Sequence, residues 1–182
     1  MRFFSRAVLV TILSTVGICL AQQQDAWVPQ GVNALEAGAS SRNSFSFDHS
    51  MLVLAAKLDP GDDDLKRVVA GISSLSVRTY KFQNSGYDTA VLNSVNDDYR
   101  SAGWKRVLNR HEKGGATGTT DVWVRMENNA IANVAVFVAK PNAIDFVAVA
   151  GSISPADLLH LGGHFGIPKI VGGVALPNTS PQ

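Results

Sequence analysis

Cysteine is almost absent from this 182-residue chain, whose single cysteine, Cys19, lies near the N-terminus. It sits inside an uncharged, largely apolar run at residues 7–20, and this run follows Arg2 and Arg6. Basic residues followed by a short apolar run are typical of a secretory signal peptide. Residues 1–21 are therefore predicted to be a signal peptide, and the rest of the chain has no cysteine. Because disulfides are then excluded, a packed core must stabilise the mature protein.

The signal peptide can be processed in two ways around Cys19. Cys19 and Ala21 place small residues where signal peptidase requires them, which predicts cleavage after Ala21 and a mature chain beginning at Gln22. A lipoprotein signal also ends at a cysteine, which would make Cys19 the lipidated first residue. The bulky Ile18 directly before it suits that processing poorly, so the cleaved form is favoured.

Long apolar runs are also lacking. Residues 7–20 fall short of the roughly 20 apolar residues that a spanning helix needs, and four small or polar residues dilute the run: Thr11, Ser14, Thr15 and Gly17. No membrane span is therefore expected after signal cleavage.

An excess of charge of either sign is missing as well. The formal net charge is +1 from 16 basic and 15 acidic residues. Removing Arg2 and Arg6 leaves 14 basic residues and a net charge of −1. This balance argues against nucleic acid as a partner, because such binding depends on a strong positive field.

Residue patterns predict an α+β domain. Alternation, caps and turn residues favour strands at 43–47, 75–82, 104–112, 120–127, 130–139 and 144–150, and helices at 48–58, 62–72, 88–101 and 154–162. Strands that follow helices in this order indicate a two-layer sandwich with a mainly antiparallel sheet, a C-terminal four-strand meander and helices on one face. The predicted organisation is a signal peptide at 1–21, a flexible lead-in at 22–41, a single domain at 42–165 and a tail at 166–182.

Two of the predicted strands raise the question of which sheet face is covered. In the strand at 75–82, Leu75 and Val77 lie on one face and Tyr80 and Phe82 on the other, so either both faces are covered or a bulge shifts the alternation. In the strand at 120–127, residues 121, 123 and 125 alternate with apolar residues, which places them toward solvent.

The chain carries no recognisable catalytic, cofactor or metal motif. His160 and His164 have helical spacing, but Gly162 and Gly163 interrupt the helix that would align them. The acidic cluster at residues 59–64 lacks the spacing of a calcium loop and is better explained by helix capping. The glycine-rich loop at 114–118 joins two strands, whereas a phosphate cradle joins a strand to a helix.

One set of residues remains as a candidate binding site. It combines aromatic and basic side chains on strands, a combination that anchors interfaces and stacks on flat ligands: Arg78, Tyr80, Trp104, Arg106, Trp123 and Arg125. The alternative is that helices or the lead-in cover Trp123 and that the arginines are ordinary surface charges.

Several segments together resemble a bacterial family described as a domain of unknown function, number 4252. They include Val-Arg-Thr-Tyr-Lys-Phe at 77–82, Ala-Gly-Trp-Lys-Arg-Val at 102–107, Val-Trp-Val-Arg at 122–125 and Val-Ala-Gly-Ser-Ile at 149–153. The resemblance covers residues 45–162. It implies an exported envelope protein, a lipoprotein in some members, with no established activity and with a connection to envelope stress signalling.

These observations favour a non-enzymatic binding or interaction module that is exported to the periplasm or outer envelope and has an envelope protein as its partner. The alternatives are an envelope hydrolase of unrecognised type and a lipid-anchored structural protein.

Overall fold

The fold is built on one large antiparallel sheet. A computed structural model describes residues 26–83, 86–111, 118–154, 157, 160–162, 164–165, 169–171 and 174–176. The helices are α1 Gln30–Ala34, α2 His49–Lys57, α3 Asp63–Ala70 and α4 Thr89–Ser101, with a 3-10 turn at Leu35–Gly38. The strands are β1 Ser41–Asp48, β2 Ile72–Lys81, β3 Lys105–His111, β4 Thr119–Glu127, β5 Ala130–Lys140, β6 Ala143–Gly151, β7 Lys169–Val171 and β8 Val174–Leu176.

Six strands lie in the order β1-β2-β6-β5-β4-β3, and every neighbouring pair is antiparallel. Within this sheet, β3 to β6 follow one another as a meander, so the predicted α+β class and the four-strand meander are confirmed. Asn128 and Asn129 connect β4 to β5 with φ angles of 49° and 65°, the conformation of a tight hairpin turn in which asparagine is favoured. β5 and β6 are the two middle strands of the sheet.

Aspartates begin three of the helices, as the sequence predicts. Asp48, Asp62 and Asp88 accept hydrogen bonds from the backbone N–H groups of Met51, Leu65 and Ala90, each at 2.8 Å. Each bond satisfies an N–H group that the first turn of a helix leaves unpaired. The capping explanation of the acidic cluster is thus confirmed at Asp62.

Helices cover both faces of the sheet, which gives three layers where the sequence predicted two. On one face, α2 and α3 pack on a core that contains Leu52, Leu65, Leu75 and Val77. On the other face, α1 and α4 pack on a second core, which contains Val32, Val95, Tyr80 and Phe82. Of the two explanations for the strand at 75–82, the structure supports coverage of both faces.

The residues of β5 show why both faces must be covered. Val134, Val136 and Val138 belong to the first core, and Ala135, Phe137 and Ala139 belong to the second. A strand that is apolar on both faces loses stability unless both are shielded from water.

Part of the predicted flexible lead-in is a packed element of the domain. It forms α1 and the 3-10 turn, in which Val32 and Leu35 are buried. In the predicted tail, β7 and β8 pair as a short hairpin. The predicted signal peptide, its cleavage site and Cys19 lie outside the described residues. No helix in the described part of the chain is long and apolar enough to span a membrane.

Candidate functional site

The aromatic residues of the predicted site lie in the second core. The ring of Tyr99 on α4 stacks on Trp123 of β4 with centroids 5.2 Å apart and planes 15° apart. Trp104 packs edge-on against Tyr99 at 5.0 Å. Trp27, which precedes α1, contacts the rings of Tyr99 and Trp104 at 5.2 and 5.6 Å. Four aromatic side chains from different parts of the chain therefore form one cluster.

Burial in this cluster removes Trp123 from the surface. Trp123 is 1% exposed, and Trp104 and Tyr80 are 5% and 2% exposed. The expectation that Trp123 faces solvent is wrong, because α4 and the segment around Trp27 cover that face of β4. The apolar positions of α4, Val95 and Tyr99, were a signal in the sequence that this helix needs a surface to pack on.

Arg106 supports the same cluster at its edge. Its guanidinium lies 5.5 Å from the ring centre of Trp123, and Arg100 of α4 lies 5.9 Å away. Both distances fall within the range of cation–π attraction. Arg106 also lies 3.5 Å from the Asp121 carboxylate, which is 4% exposed and accepts a hydrogen bond from Asn109 at 2.6 Å. The guanidinium of Arg106 compensates the buried charge of Asp121, so its position is explained by a role in stabilising the fold.

Arg125 is separate from that group. Its guanidinium donates to Glu127 at 2.7 Å, and both side chains are more than one third exposed. A pair of this kind contributes little to stability because water screens it.

Arg78 lies in a different environment, a cleft on the same face of the sheet. The cleft has a volume of about 420 Å³ and lies over β1 and β2, next to the segment that leads into α1. Its polar lining consists of Ser46, Asp48, Ser74, Ser76 and Arg78, and Ala26, Val28 and Met51 contribute apolar side chains. Phe47 and Leu75 also border the cleft, but their side chains point to the opposite face of the sheet and pack in the first core.

Strand register explains why the polar residues of the cleft meet. Ser46 is the register partner of Ser76, and Asp48 is the partner of Ser74. Because side chains at alternate positions of a strand point to the same face, Ser74, Ser76 and Arg78 follow one another along β2. The cleft floor is thus a short polar ladder across two strands.

The guanidinium of Arg78 is held in place from α1. Its Nη1 donates to Oδ1 of Asn33 across 2.5 Å. The Nε atom of Arg78 is buried and has no hydrogen-bond partner among the described residues, and the same holds for Oγ of Ser76. Ser76 is 5% exposed. Buried donors are nearly always paired in folded proteins. Five other buried polar atoms of the described residues also lack a partner, in Tyr80, Tyr99, Trp104, Trp123 and Asn133, but Ser76 and Arg78 are the two residues of this set that line the cleft.

Asp48 is the acidic group of the cleft, and one of its oxygens is already engaged. Oδ1 accepts from the N–H of Met51 at 2.8 Å as the cap of α2. Tyr80, next along the face from Arg78, has a raised pKa because burial disfavours its phenolate, and the nearby charge of Arg78 opposes that shift.

The two histidines considered as metal ligands lie apart from this cleft. Nε2 of His164 lies 3.5 Å from Oδ2 of Asp62, the capping residue of α3, whereas His160 is exposed. Among the residues that the structure describes, no group of three or more potential ligands is arranged to hold a metal ion. Most of the loop at 114–118 lies outside the described residues.

Comparison with known proteins gives one family. The family model described as Domain of unknown function (DUF4252) matches residues 39–161. The match contains α2, α3, α4 and the whole six-stranded sheet but leaves out Trp27 and α1. No curated protein matches the chain.

Proposed function

Since the chain belongs to the DUF4252 family, whose description assigns no activity, we propose from its sequence and its geometry that it is an exported, non-enzymatic binding module of the cell envelope. The observation that carries this proposal is the cleft over β1 and β2. It combines a positioned guanidinium, two unpaired buried donors and an apolar wall, the composition of a small-molecule or chain-end binding site.

The positions of the titratable groups favour binding over catalysis. A hydrolase needs at least two such groups within reach of each other and of a substrate. In the cleft, these groups are Asp48 and Arg78. Asp48 is paired with Ser74, four residues from Arg78 along β2, so the two backbone positions are about 14 Å apart. An envelope hydrolase remains the second candidate, and turnover of an envelope substrate that Asp48→Asn abolishes would favour it.

Export is proposed from the basic and apolar pattern of residues 1–21. Mass spectrometry of the protein recovered from the envelope fraction tests this directly. A mature chain beginning at Gln22 is expected. Retention of residues 1–21 on a cytoplasmic protein would contradict export, and an acylated Cys19 would establish a lipid-anchored form.

Binding in the envelope is tested by crosslinking in cells. Ser46→Phe is designed to fill the cleft without charge, and Arg125→Gln is the matched control on the same sheet face outside it. We expect the envelope component captured by the wild-type protein and by Arg125→Gln to be lost from folded Ser46→Phe. Equal capture by all three proteins would remove the cleft from the proposal.

A connection to envelope stress signalling is part of the same proposal. Deletion of the gene is expected to change the output of an envelope-stress reporter, and complementation by Ser46→Phe is expected to fail. An unchanged reporter in the deletion strain would contradict this connection.

A further inference from the structure

We propose that the cleft binds a small monocarboxylate with an apolar body, and that the Nε–H of Arg78 and the hydroxyl of Ser76 hold the carboxylate. This inference names the ligand class of the cleft and therefore rests on the proposed function. It is argued from three features of the cleft, which are the unpaired donors, the acidic group and the apolar wall.

The unpaired donors lack a hydrogen-bond acceptor among the described residues. Arg78 uses Nη1 to donate to Asn33, which orients the guanidinium and leaves the Nε–H without a partner. Ser76, two residues earlier on the same face of β2, has a buried hydroxyl without a partner among the described residues. A carboxylate supplies two oxygens to such a pair, and its bond to a guanidinium is charge-assisted.

The acidic group limits the charge of the ligand. Asp48 lines the cleft at the end away from Arg78. Its carboxylate repels a second anionic group that the ligand would bring to this end of the cleft, since like charges disfavour each other. A ligand with one negative charge at the Arg78 end is therefore preferred over a dicarboxylate or a phosphate.

The apolar wall indicates what the rest of the ligand is made of. Ala26 and Val28 line the cleft from the side of α1, and Met51 lines it from α2. The volume of about 420 Å³ is within the range of sites for small molecules and is larger than a bare carboxylate needs. Apolar carbon atoms attached to the carboxylate would fill the remaining space.

Binding requires a small movement of the two donors. The Nε atom of Arg78 and the hydroxyl oxygen of Ser76 are buried, and both residues line the cleft. A change of the Ser76 χ1 rotamer and a small shift of the Arg78 guanidinium that keeps its bond to Asn33 bring both donors to the ligand, and rearrangements of this size are common at binding sites.

The test uses hexanoate as the probe, with hexanamide, adipate and inorganic phosphate as comparisons, on the full mature protein. Backbone amide NMR shifts at Ser46, Ser74, Ser76 and Arg78 report on the cleft. We expect saturable shifts with hexanoate at an affinity at least about tenfold higher than for hexanamide, because a charge-assisted hydrogen bond is lost in the amide. Adipate and phosphate are expected to bind more weakly than hexanoate.

Substitutions test whether Arg78 and Ser76 donate the hydrogen bonds that hold the carboxylate. Arg78→Gln is expected to weaken hexanoate binding at least about tenfold, Ser76→Ala by a few fold, and the control Arg125→Gln not at all. Arg78→Lys keeps the charge and removes the Nε–H geometry, so it serves if Arg78→Gln fails to fold, and it is also expected to bind more weakly. Equal binding of hexanoate and hexanamide, tighter binding of phosphate, or wild-type affinity in both Arg78 variants would overturn the proposal.

The two proposals fail in different ways. If hexanoate does not bind but capture in the envelope still depends on Ser46, the binding module stands and its ligand is of another class. If hexanoate binds but the protein is not exported, the site stands and the proposed envelope function does not.

Discussion

At the scale of single residues, Trp123 is a core residue whose charged neighbours on the same strand face make it look exposed in the sequence pattern. Asp121 and Arg125 lie on either side of it on the same face of β4, yet Trp123 is 1% exposed and stacks on Tyr99. The charged neighbours are accommodated differently, Asp121 by a buried network and Arg125 by a pair at the surface.

Replacing Trp123 by alanine is expected to lower the free energy of unfolding by about 3–5 kcal/mol, because the change leaves a cavity beneath α4. Urea denaturation measures this value. The matched control is Arg125→Ala, whose exposed ion pair predicts a change within about 0.5 kcal/mol. If the two substitutions cost the same, Trp123 is not a core residue.

The three tyrosines of the chain all have a raised pKa, and burial is the leading cause in each. The shift is largest for Tyr99, whose pKa lies well above the ordinary value of 10.0. Since the folded state favours the neutral phenol, this contribution to stability is present below pH 10.0 and is lost as the pH rises through the higher folded-state values.

An absorbance titration of tyrosinate checks this expectation. The folded protein is expected to show less than half of its phenols ionised at pH 10.0, with the last ionisation accompanying alkaline unfolding. The same protein in urea should titrate with a midpoint near 10.0. Half ionisation of the folded protein at that pH would contradict the burial of the phenols.

At the scale of elements, the junction between β2 and β6 depends on a glycine. Gly151 ends β6 with φ at 139°, and a Cβ there would clash with the Gly71 carbonyl oxygen and lie 2.8 Å from Cα of Ile72. Gly103 follows α4 with φ at 79°, but a Cβ there would meet nothing within 4 Å. The two positions share a positive φ and differ in the space around them.

Alanine substitutions separate these two causes. Gly103→Ala is expected to cost about 1 kcal/mol from backbone strain alone, whereas Gly151→Ala should cost more than about 3 kcal/mol because crowding adds to the strain. Thermal and urea unfolding measure both values. Equal costs would show that crowding at Gly151 is relieved by local movement.

A capping box formed by Ser154 and Asp157 begins the last helical segment, and Asp157 links that segment to α3. Ser154 and Asp157 exchange hydrogen bonds at 2.8 and 3.2 Å, as the sequence predicts for the start of this helix. Asp157 also accepts from Arg67 at 3.0 Å. Hydrogen bonds with Ser154, and next to them Arg67, lower the pKa of Asp157 below its ordinary value of 3.8.

A lowered pKa means that the folded state favours the carboxylate, so Asp157 stabilises the protein above pH 3.8 and loses this effect as the pH falls through its folded-state value. Asp157→Asn is expected to lower stability by about 1 kcal/mol at neutral pH, with the difference from wild type shrinking below pH 3.8. Melting temperatures across this range test it. Asp64→Asn is the control, because Asp64 contacts the same Arg67 at 3.4 Å from a more exposed position. A pH-independent difference for Asp157→Asn would contradict the role of its charge.

At the scale of the whole molecule, one sheet carries two cores. Ile72 belongs to the core under α2 and α3, and Ile144 belongs to the core under α1 and α4. Both side chains are at most 1% exposed. Because the sheet separates the two cores, a loss of packing in one does not open a cavity in the other.

Ile72→Val and Ile144→Val are each expected to cost about 0.5–1.5 kcal/mol. The double variant should show the sum within about 0.5 kcal/mol and one cooperative transition, because distant sites in a single domain act independently on one equilibrium. Two resolved transitions would show that the faces unfold separately, contrary to a single domain.

Local physical chemistry accounts for the features that were predictable from the sequence. Aspartate caps before α2, α3 and α4, the paired asparagines between β4 and β5, and the apolar character of β5 each depend on residues adjacent in the chain. The elements, the α+β class and the meander follow from such signals. Of the six predicted site residues, Arg78 is the one that lines the cleft, and this setting was not predictable because it depends on β1 and α1.

Which helix covers which face of the sheet was decided by the tertiary structure alone. Alternation in β4 and β2 places side chains on two faces, but only the packing of α4 and Trp27 decides that the face of Trp123 is buried. The cleft at Arg78 likewise depends on the meeting of β2 with β1 and with α1, and the contact between Arg78 and Asn33 joins residues 45 positions apart in the chain. Hydrogen bonding within helices and the periodicity of apolar residues are local, so the helices and strands could be predicted from the sequence. Burial depends on residues distant in the chain, so the position and lining of the cleft required the tertiary structure.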